Sequence, residues 1–219
     1  MNMSLTERRR FLQSTAAALA LLAGASGAWA ADEAPDAMIG RLSNEVLALI
    51  RGDKALQNGD IDRVISVVDS KIMPNVNFVR MTAAATGPAW RRATPEQRQQ
   101  LQTAFKVLLV RTYAGALKQV SDQKVEVKPL RAGADDKEVT VRTEVIGRGD
   151  PIELDYRLER TPGQGAGWKI YDLNVLGVWL VANYRSQFAE QINKSGIDGL
   201  IKALDERNQA NATASADKR

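Results

Sequence analysis

The sequence contains neither cysteine nor histidine among its 219 residues. Without cysteine, the chain forms no disulfide and has no thiolate for nucleophilic or redox chemistry. Without histidine, it lacks the commonest general base and the usual partner of a catalytic serine, and most zinc and iron sites lose a preferred ligand. These two absences remove the most frequent kinds of hydrolase and metalloprotein site.

The chain also lacks a long run of charge of one sign. Its formal net charge is only +4, and three of the cations, Arg8, Arg9 and Arg10, lie together near the N-terminus. No basic run follows them, so the sequence gives no indication of nucleic-acid binding. With 44% hydrophobic and 26% charged residues, the composition is that of an ordinary globular domain.

The first 30 residues have the features of an export signal and are excluded from the predicted domain. The segment Arg8–Gln13 fits the twin-arginine export pattern, although the general export route stays open. The apolar run from 16 to 25 is about half the ~20 residues needed to span a bilayer. A small-x-small site at Ala28-Trp29-Ala30 predicts cleavage after Ala30 and a periplasmic location. The alternative is a retained membrane or amphipathic helix.

The remaining chain begins with helical patterns. Apolar residues recur at three- and four-residue intervals from about 36 to 51 and from 61 to 72, and a short helix is predicted from 75 to 85. The strongest start signal lies at Thr94, where Pro95 and Gln97 complete a capping box, and this helix is predicted to reach about Val120. At 1.5 Å per residue it is about 38 Å long, enough to cross a small sheet.

The hydrophobic period then changes from helical to two. Segments 125–127, 139–145 and 152–158 alternate, and a fourth strand is predicted from Trp168 to Val175. The fourth strand carries apolar residues at both parities, which suits a strand buried on both faces.

Helical spacing returns after Gly177, over residues 178 to 188, and a last helix is predicted from Ser195. The segment Gln209–Arg219 is predicted to be a disordered tail. Helices, then antiparallel strands joined by turns, then helices again indicate an α+β fold, with one face of the sheet in solvent and helices on the other.

Asp172, in the fourth strand beside Tyr171, is the candidate for acid–base catalysis. A carboxylate held inside such a domain can act as a general base. The simpler interpretation is an aspartate at a strand end or on the solvent face, hydrogen-bonded to a turn. The absence of a second catalytic group favours the simpler interpretation.

The other polar candidates also have structural explanations. Glu153, Asp155 and Glu159 alternate with Arg157, and a cross-strand charge ladder explains them better than a metal site. The glycine-rich segment 163–167 opens no helix, so it is predicted to be a hairpin loop rather than a phosphate-binding loop. Three arginines are either solvated or contacts for a lipid phosphate or an acidic partner: Arg91, Arg92 and Arg111.

Several segments share their order and spacing with one protein family. In chain order they are Trp90-Arg91, Glu96-Gln97-Arg98, Phe105 with Leu108–Leu117, Trp168–Asp172, Gly177–Leu180, Asn183–Phe188 and Ser195–Ile201. On these segments the chain resembles the MlaC (toluene-tolerance) family of periplasmic phospholipid carriers, over roughly residues 39–208. It departs from most members at Trp179, where they have serine.

The resemblance implies a fold, a ligand and partners. The fold is a cone-like bent antiparallel sheet of about four strands packed by several helices, as in nuclear-transport-factor-like proteins with extra helices. The ligand is a glycerophospholipid, held as cargo by its acyl tails in an apolar pocket, and no cofactor is expected. The protein is expected to be a monomer that shuttles lipid between an inner-membrane ABC-type transport complex and an outer-membrane lipoprotein–porin complex, maintaining outer-membrane lipid asymmetry.

Ten residues are predicted at the helix–sheet interface, where they either fill a solid core or line the pocket that the resemblance implies. They are Phe78, Met81, Phe105, Leu108, Tyr113, Tyr156, Ile170, Leu173, Val178 and Tyr184. The predicted domain spans residues 31–208 and is a lipid carrier rather than an enzyme. Two alternatives stay open: a cone-fold isomerase or hydrolase that uses Asp172, and an interaction module with a solid core.

Overall fold

In the described part of the chain, helices come first, a five-stranded sheet follows, and a long kinked helix comes last. The computed structural model describes residues 33–133 and 135–216, and side chains up to residue 212. The predicted export signal therefore lies outside the described residues. Within the described ranges, no helix is both long and apolar enough to cross a bilayer. The α+β class predicted from the sequence is confirmed.

The α-helices of the described part are α1 (Pro35–Gly52), α2 (Lys54–Gln57), α3 (Ile61–Val67), α4 (Phe78–Thr86), α5 (Pro95–Tyr113) and α6 (Leu180–Ala216). A π-helical turn occupies Val68–Ile72, and 3-10 turns occupy Met73–Asn75, Gly87–Arg92 and Ala114–Gln119. The strands are β1 (Lys124–Val127), β2 (Glu138–Ile146), β3 (Ile152–Arg160), β4 (Trp168–Val175) and β5 (Val178–Trp179).

Polar side chains fix where several helices begin. The predicted capping box of α5 is present: the Thr94 hydroxyl accepts from the Gln97 amide, and the Gln97 side chain accepts from the Thr94 amide. Asn77 caps α4 by accepting from the Arg80 amide. Gly196, with φ of 71°, divides α6 into two helical segments, because this left-handed conformation is open to glycine and strained for other residues.

Three boundaries differ from the sequence prediction. The α-helical part of α5 ends at Tyr113, and the chain continues to Gln119 as a 3-10 turn instead of an α-helix. Val178 lies in β5 rather than in a helix. The second segment of α6 continues to Ala216, into the stretch predicted to be a disordered tail. Asn208, at the end of the predicted domain, is buried, and its side-chain amide donates to the Ala104 carbonyl.

The strands pair antiparallel in the order β1-β2-β3-β4-β5. The pairing of β3 with β4 contains a bulge: Arg157 lies opposite Asp172 and Leu158 opposite Ile170, so Tyr171 is an extra residue. Since side chains alternate across a strand, the extra residue brings Ile170 and Leu173 to the same face. No residue of β4 is exposed, and the outer-face Asp172 and Asn174 are buried, so the prediction that the strand is buried on both faces is confirmed. Its aliphatic residues nevertheless share one face, and the bulge explains their mixed parity.

Buried apolar side chains form three clusters. The first lies between α4, α5 and α6 and includes Phe105, Leu108 and Tyr184. The second lies between α1 and the sheet and includes Met38, Leu158 and Ile170. The third packs α2 and α3 against the end of α5. Helices thus cover one face of the sheet, which we call the inner face.

Candidate functional site

The inner face of the sheet is apolar along its length and opens to solvent at one end. The register defines four cross-strand rows on this face: Val139–Leu158–Ile170, Val141–Tyr156–Leu173, Val127–Thr143–Leu154–Val175–Val178 and Val125–Val145–Ile152. The first row is buried in the second cluster. In the last two rows, Leu154 and Val175 are half-buried, Val178 is 49% exposed and Ile152 is 41% exposed. We call these last two rows the open end.

Helix α5, whose buried residues belong to the first cluster, shows a similar change in burial at its last turn. Leu101, Phe105 and Leu108 follow one stripe of α5 and are fully buried, whereas Thr112, the next residue of the stripe, is exposed. Tyr113 beside it is also exposed. Partial burial, with a smaller contribution from the nearby Tyr184, raises the pKa of the Tyr113 phenol. On this side of α5 the buried stripe therefore ends at Leu108, while Val110 on another side of the last turn is buried in the third cluster.

Tyr156 is the large polar side chain in the middle of the inner face. Its ring is half-buried, and burial raises the pKa of its phenol to about 12. Its hydroxyl is hydrogen-bonded to Ser43 and Thr143, and the Thr143 hydroxyl donates to the Leu154 carbonyl over 2.6 Å. Because these polar atoms have partners, the row presents mainly the aromatic ring and aliphatic groups to a ligand.

The structure divides the ten predicted interface residues among three environments. Five are buried in the first cluster, where the Phe105 ring lies 5.7 Å from Phe78 and 4.9 Å from Tyr184; these five are Phe78, Met81, Phe105, Leu108 and Tyr184. Leu173 packs against that cluster, while Tyr156 and Ile170 belong to the second cluster. Tyr113 is exposed at the end of α5, and Val178 is part of the open end. That these residues line a lipid pocket stays a prediction.

Sequence reasoning missed seven of the eight residues of the open end, among them Val145, Ile152, Leu154 and Val175. A signal was available for Val145, Ile152 and Leu154, because the alternation of strands 139–145 and 152–158 places them on the same face as Tyr156. The alternation does not show that burial decreases toward one end of the sheet, because that decrease depends on where the helices end.

Asp172 lies on the opposite, outer face of the sheet and is only 2% exposed. Its Oδ1 accepts from the amides of Leu173 at 2.9 Å and Val181 at 3.1 Å, and its Oδ2 accepts from Arg157 at 3.2 Å. Burial raises its pKa, although the hydrogen bonds and Arg157 oppose the shift. The carboxylate joins β4 to the first turn of α6, which matches the simpler interpretation of this residue.

The other outer-face charges pair with one another. Arg80 bonds Glu138 at 2.6 Å and also Glu159, and its guanidinium lies 3.6 Å from the centroid of the Tyr171 ring. Arg157 stacks on Trp179 at 3.8 Å. Among the described residues, no group of three acidic side chains is arranged to hold a metal ion. These side chains form an ion-pair network on the solvent side of the sheet.

Three remaining predictions concern the surface. Segment 163–167 is the turn between β3 and β4, as predicted. Arg91 and Arg92 are exposed, whereas Arg111 is half-buried and its Nε has no hydrogen-bond partner. A surface groove of about 510 Å³ between α5 and the second segment of α6 is lined mainly by polar side chains such as Asp198 and Asp205, so it does not suit an acyl chain.

Comparison with known proteins places this geometry in a family. The family model described as MlaC protein matches residues 40–206. The chain is 23% identical over 176 residues to the intermembrane phospholipid transport system binding protein MlaC of Haemophilus influenzae, covering 80% of this chain and 82% of the relative. It is 34% identical to the toluene tolerance protein ttg2D of Pseudomonas putida over 116 residues, which cover 52% of this chain and 52% of the relative.

A solved structure is also similar. It is a phospholipid-binding protein of Ralstonia solanacearum in complex with a phospholipid, with 48% sequence identity and a TM-score of 0.77, covering 81% of this chain and 98% of that one. The match to the family model extends over most of the described residues and includes all five strands. The chain therefore belongs to the MlaC family.

Proposed function

We propose that the protein is a phospholipid carrier that holds the acyl tails of its cargo against the inner face of the sheet. The observation that carries the proposal is the inner face itself: four aligned apolar rows, buried at one end and accessible at the other. The similar protein of known structure, at 48% identity, is in complex with a phospholipid. That similarity supports the same class of ligand here.

The free-energy cost of exposing acyl tails to water explains why a wide apolar surface is needed. Burial of one methylene contributes about 0.8 kcal/mol, so exposure of two tails of roughly 16 carbons to water costs on the order of 25 kcal/mol. A carrier must offset most of this cost with apolar contacts and still release the lipid. Rows of aliphatic side chains meet both needs, because such contacts are individually weak and impose little directional specificity.

The tails enter at the open end in this proposal. The row around Leu158 is buried and Val141 is fully buried, whereas Leu154 and Ile152 have accessible surface. The tails then extend between α5 and the sheet, and the helices move apart to admit them. The head group stays near Thr112 and Tyr113, where the last turn of α5 reaches solvent.

The wider setting is proposed with the same function. We infer that the protein acts in the periplasm as a monomer, after cleavage of its first 30 residues. It carries lipid between an inner-membrane ABC-type complex and an outer-membrane lipoprotein–porin complex and so maintains outer-membrane lipid asymmetry. The family assignment supports this setting, as does the name of the Haemophilus relative, a binding protein of an intermembrane phospholipid transport system.

The test is mass spectrometry of an organic extract from the purified mature protein, with phosphate quantified against protein. We expect close to one phospholipid per chain. Leu154→Gln should lower this occupancy several-fold, because it places an amide among the apolar rows. Val79→Gln is the matched control, since Val79 is 53% exposed on α4 and belongs to none of the three clusters. Protein that carries no lipid and takes none up from liposomes would refute the carrier function.

A further inference from the structure

The turn between β4 and β5 contains a leucine, Leu176, with a positive φ angle. Val175 pairs with Val178, so Leu176 and Gly177 form a two-residue hairpin turn, with φ angles of 52° and 83°. Positive φ at both positions is the type I′ geometry, for which Asn-Gly is strongly preferred. A leucine in the left-handed region is disfavoured by contact between its Cβ and the backbone. Leu176 is the one non-glycine residue in the described part of the chain with positive φ.

Leu176 is also the most exposed large apolar side chain of the described residues, at 62%. Its amide donates to the Glu153 carbonyl, next to Ile152, and Val178 follows it after one glycine. Ile152, Leu176 and Val178 thus lie together at the end of the sheet, and we call them the apolar tip. The sequence accepts both a strained backbone and an exposed leucine at one position, where asparagine would avoid both.

The apolar tip is continuous with the open end of the inner face. Val178 pairs with Val175, and Val175 pairs with Leu154, so an unbroken row leads from the tip to the half-buried rows. An acyl chain that reaches the tip can therefore pass to the inner face without leaving apolar contact. The tip therefore links the proposed binding surface to the membrane or protein with which lipid is exchanged.

We propose that the apolar tip inserts into the surface of a phospholipid bilayer when the carrier loads or releases its cargo; this inference rests on the proposed function. A stable protein interface buries about 800 Å² per partner with roughly 20–30 residues, far more than three aliphatic side chains provide. A transient contact with a bilayer needs only a few apolar side chains at the head-group level. Trp179, next to Val178, is a residue type enriched at membrane–water interfaces.

The contact is apolar rather than electrostatic. Arg148, the most exposed cation near the β2–β3 turn, pairs with Asp122 at 3.5 Å, and Asp150 and Glu153 lie in the same turn region. With cations and anions mixed in this way, the described residues form no basic patch beside the tip. Insertion should therefore depend little on salt and proceed on zwitterionic lipid.

The first experiment uses Leu176→Asn, which creates the preferred Asn-Gly turn. Because the substitution relieves strain, the thermal midpoint should stay the same or rise. Phospholipid occupancy measured by extraction should match the wild type. The rate of uptake of a fluorescent phosphatidylcholine from phosphatidylcholine vesicles should fall about tenfold, since the loss of one inserted leucine weakens partition by roughly that factor. Val79→Asn, at an exposed apolar position outside the tip, should change none of these quantities.

A second measurement tests the contact directly. The chain has no cysteine, so Leu176→Cys gives a single site for an environment-sensitive fluorophore. Phosphatidylcholine vesicles should shift its emission to the blue, whereas the same label at Val79→Cys should not respond. No shift at position 176, or a wild-type uptake rate in Leu176→Asn, would overturn the proposal. Lost occupancy in Leu176→Asn would also overturn it, because it would place Leu176 in the binding surface. A wild-type protein without any lipid would instead refute the proposed function.

Discussion

Removal of the Asp172 carboxylate distinguishes a structural role from a catalytic one. In Asp172→Ala, the amides of Leu173 and Val181 lose their shared acceptor, and Arg157 loses its partner. Loss of a helix cap costs about 1 kcal/mol and an unsatisfied buried amide about 1–3 kcal/mol, so the expected destabilisation is roughly 2–4 kcal/mol. For a domain of this size the thermal midpoint should fall by roughly 5–15 °C.

Asp172→Asn is the matched variant. The amide oxygen of asparagine can accept from the same two backbone amides, and asparagine is as good a capping residue as aspartate. The lost ion pair has a partly exposed partner in Arg157, which stays stacked on Trp179, so its removal should change stability by less than about 1 kcal/mol. Lipid occupancy should be unchanged in the asparagine variant.

The pH dependence of stability gives an independent check. Burial raises the pKa of Asp172 above its ordinary 3.8, so the folded state binds this proton more tightly than the unfolded state does. The corresponding stability is present below about 3.8 and is lost as the pH rises through the folded-state pKa. Asp172→Asn lacks this loss, so its stability relative to the wild type should increase with pH across that window and stay constant above it.

Denaturant titrations and thermal scans of the three proteins, at several pH values, measure these differences. If Asp172→Asn is as destabilised as Asp172→Ala, the ion pair with Arg157 and not the backbone capping holds β4 to α6. If the asparagine variant keeps its fold but loses a catalytic activity on a lipid or other substrate, the alternative hypothesis of an enzyme is correct. Asp172 is then a catalytic residue and its assignment as a structural residue is wrong.

Two further substitutions test the packing. Leu108→Asp should unfold the domain, because the side chain is fully buried beside Phe105; native circular dichroism with intact lipid occupancy would show that this part of the first cluster is open. Gly199→Ala should destabilise the kink of α6, since the added Cβ would lie 2.0 Å from the Ser195 Oγ and 2.3 Å from its Cβ. Adding Ser195→Gly should recover most of the lost thermal midpoint, and a failure to recover would place the strain elsewhere.

The elements predicted correctly from the sequence are those with local signals. The capping box at Thr94 and the alternating strands are set by neighbouring residues, so they are visible in the sequence. β5 was missed because Leu176-Gly177 is a poor sequence signal for a type I′ turn. The helix beyond Gln209 was missed because its composition is typical of disorder, while the burial of Asn208 against α5 depends on tertiary contact.

The candidate site was harder to predict than the fold. The face on which Tyr156 lies follows from strand periodicity, and the family resemblance pointed to the helix–sheet interface. Which residues of that interface stay accessible depends on the end of α5, where Thr112 is exposed although Leu108 is buried. The distance over which a helix covers a sheet is a property of the packed domain, and no single segment of the sequence contains it.

The extra residue at Tyr171 changes the phase of β4. Before it, even-numbered residues such as Ile170 face the helices; after it, odd-numbered residues such as Leu173 do so. Deletion of Tyr171 alone would remove the bulge and leave Ile170, Asp172 and Leu173 on their present faces, whereas deletion of another β4 residue with the bulge retained would turn the residues on one side of the deletion to the opposite face. Length changes among relatives should therefore be confined to the loops and to the bulge at Tyr171, and the alternation of inner and outer residues on each side of the bulge should be a more dependable mark of this fold than the identity of the residues within it.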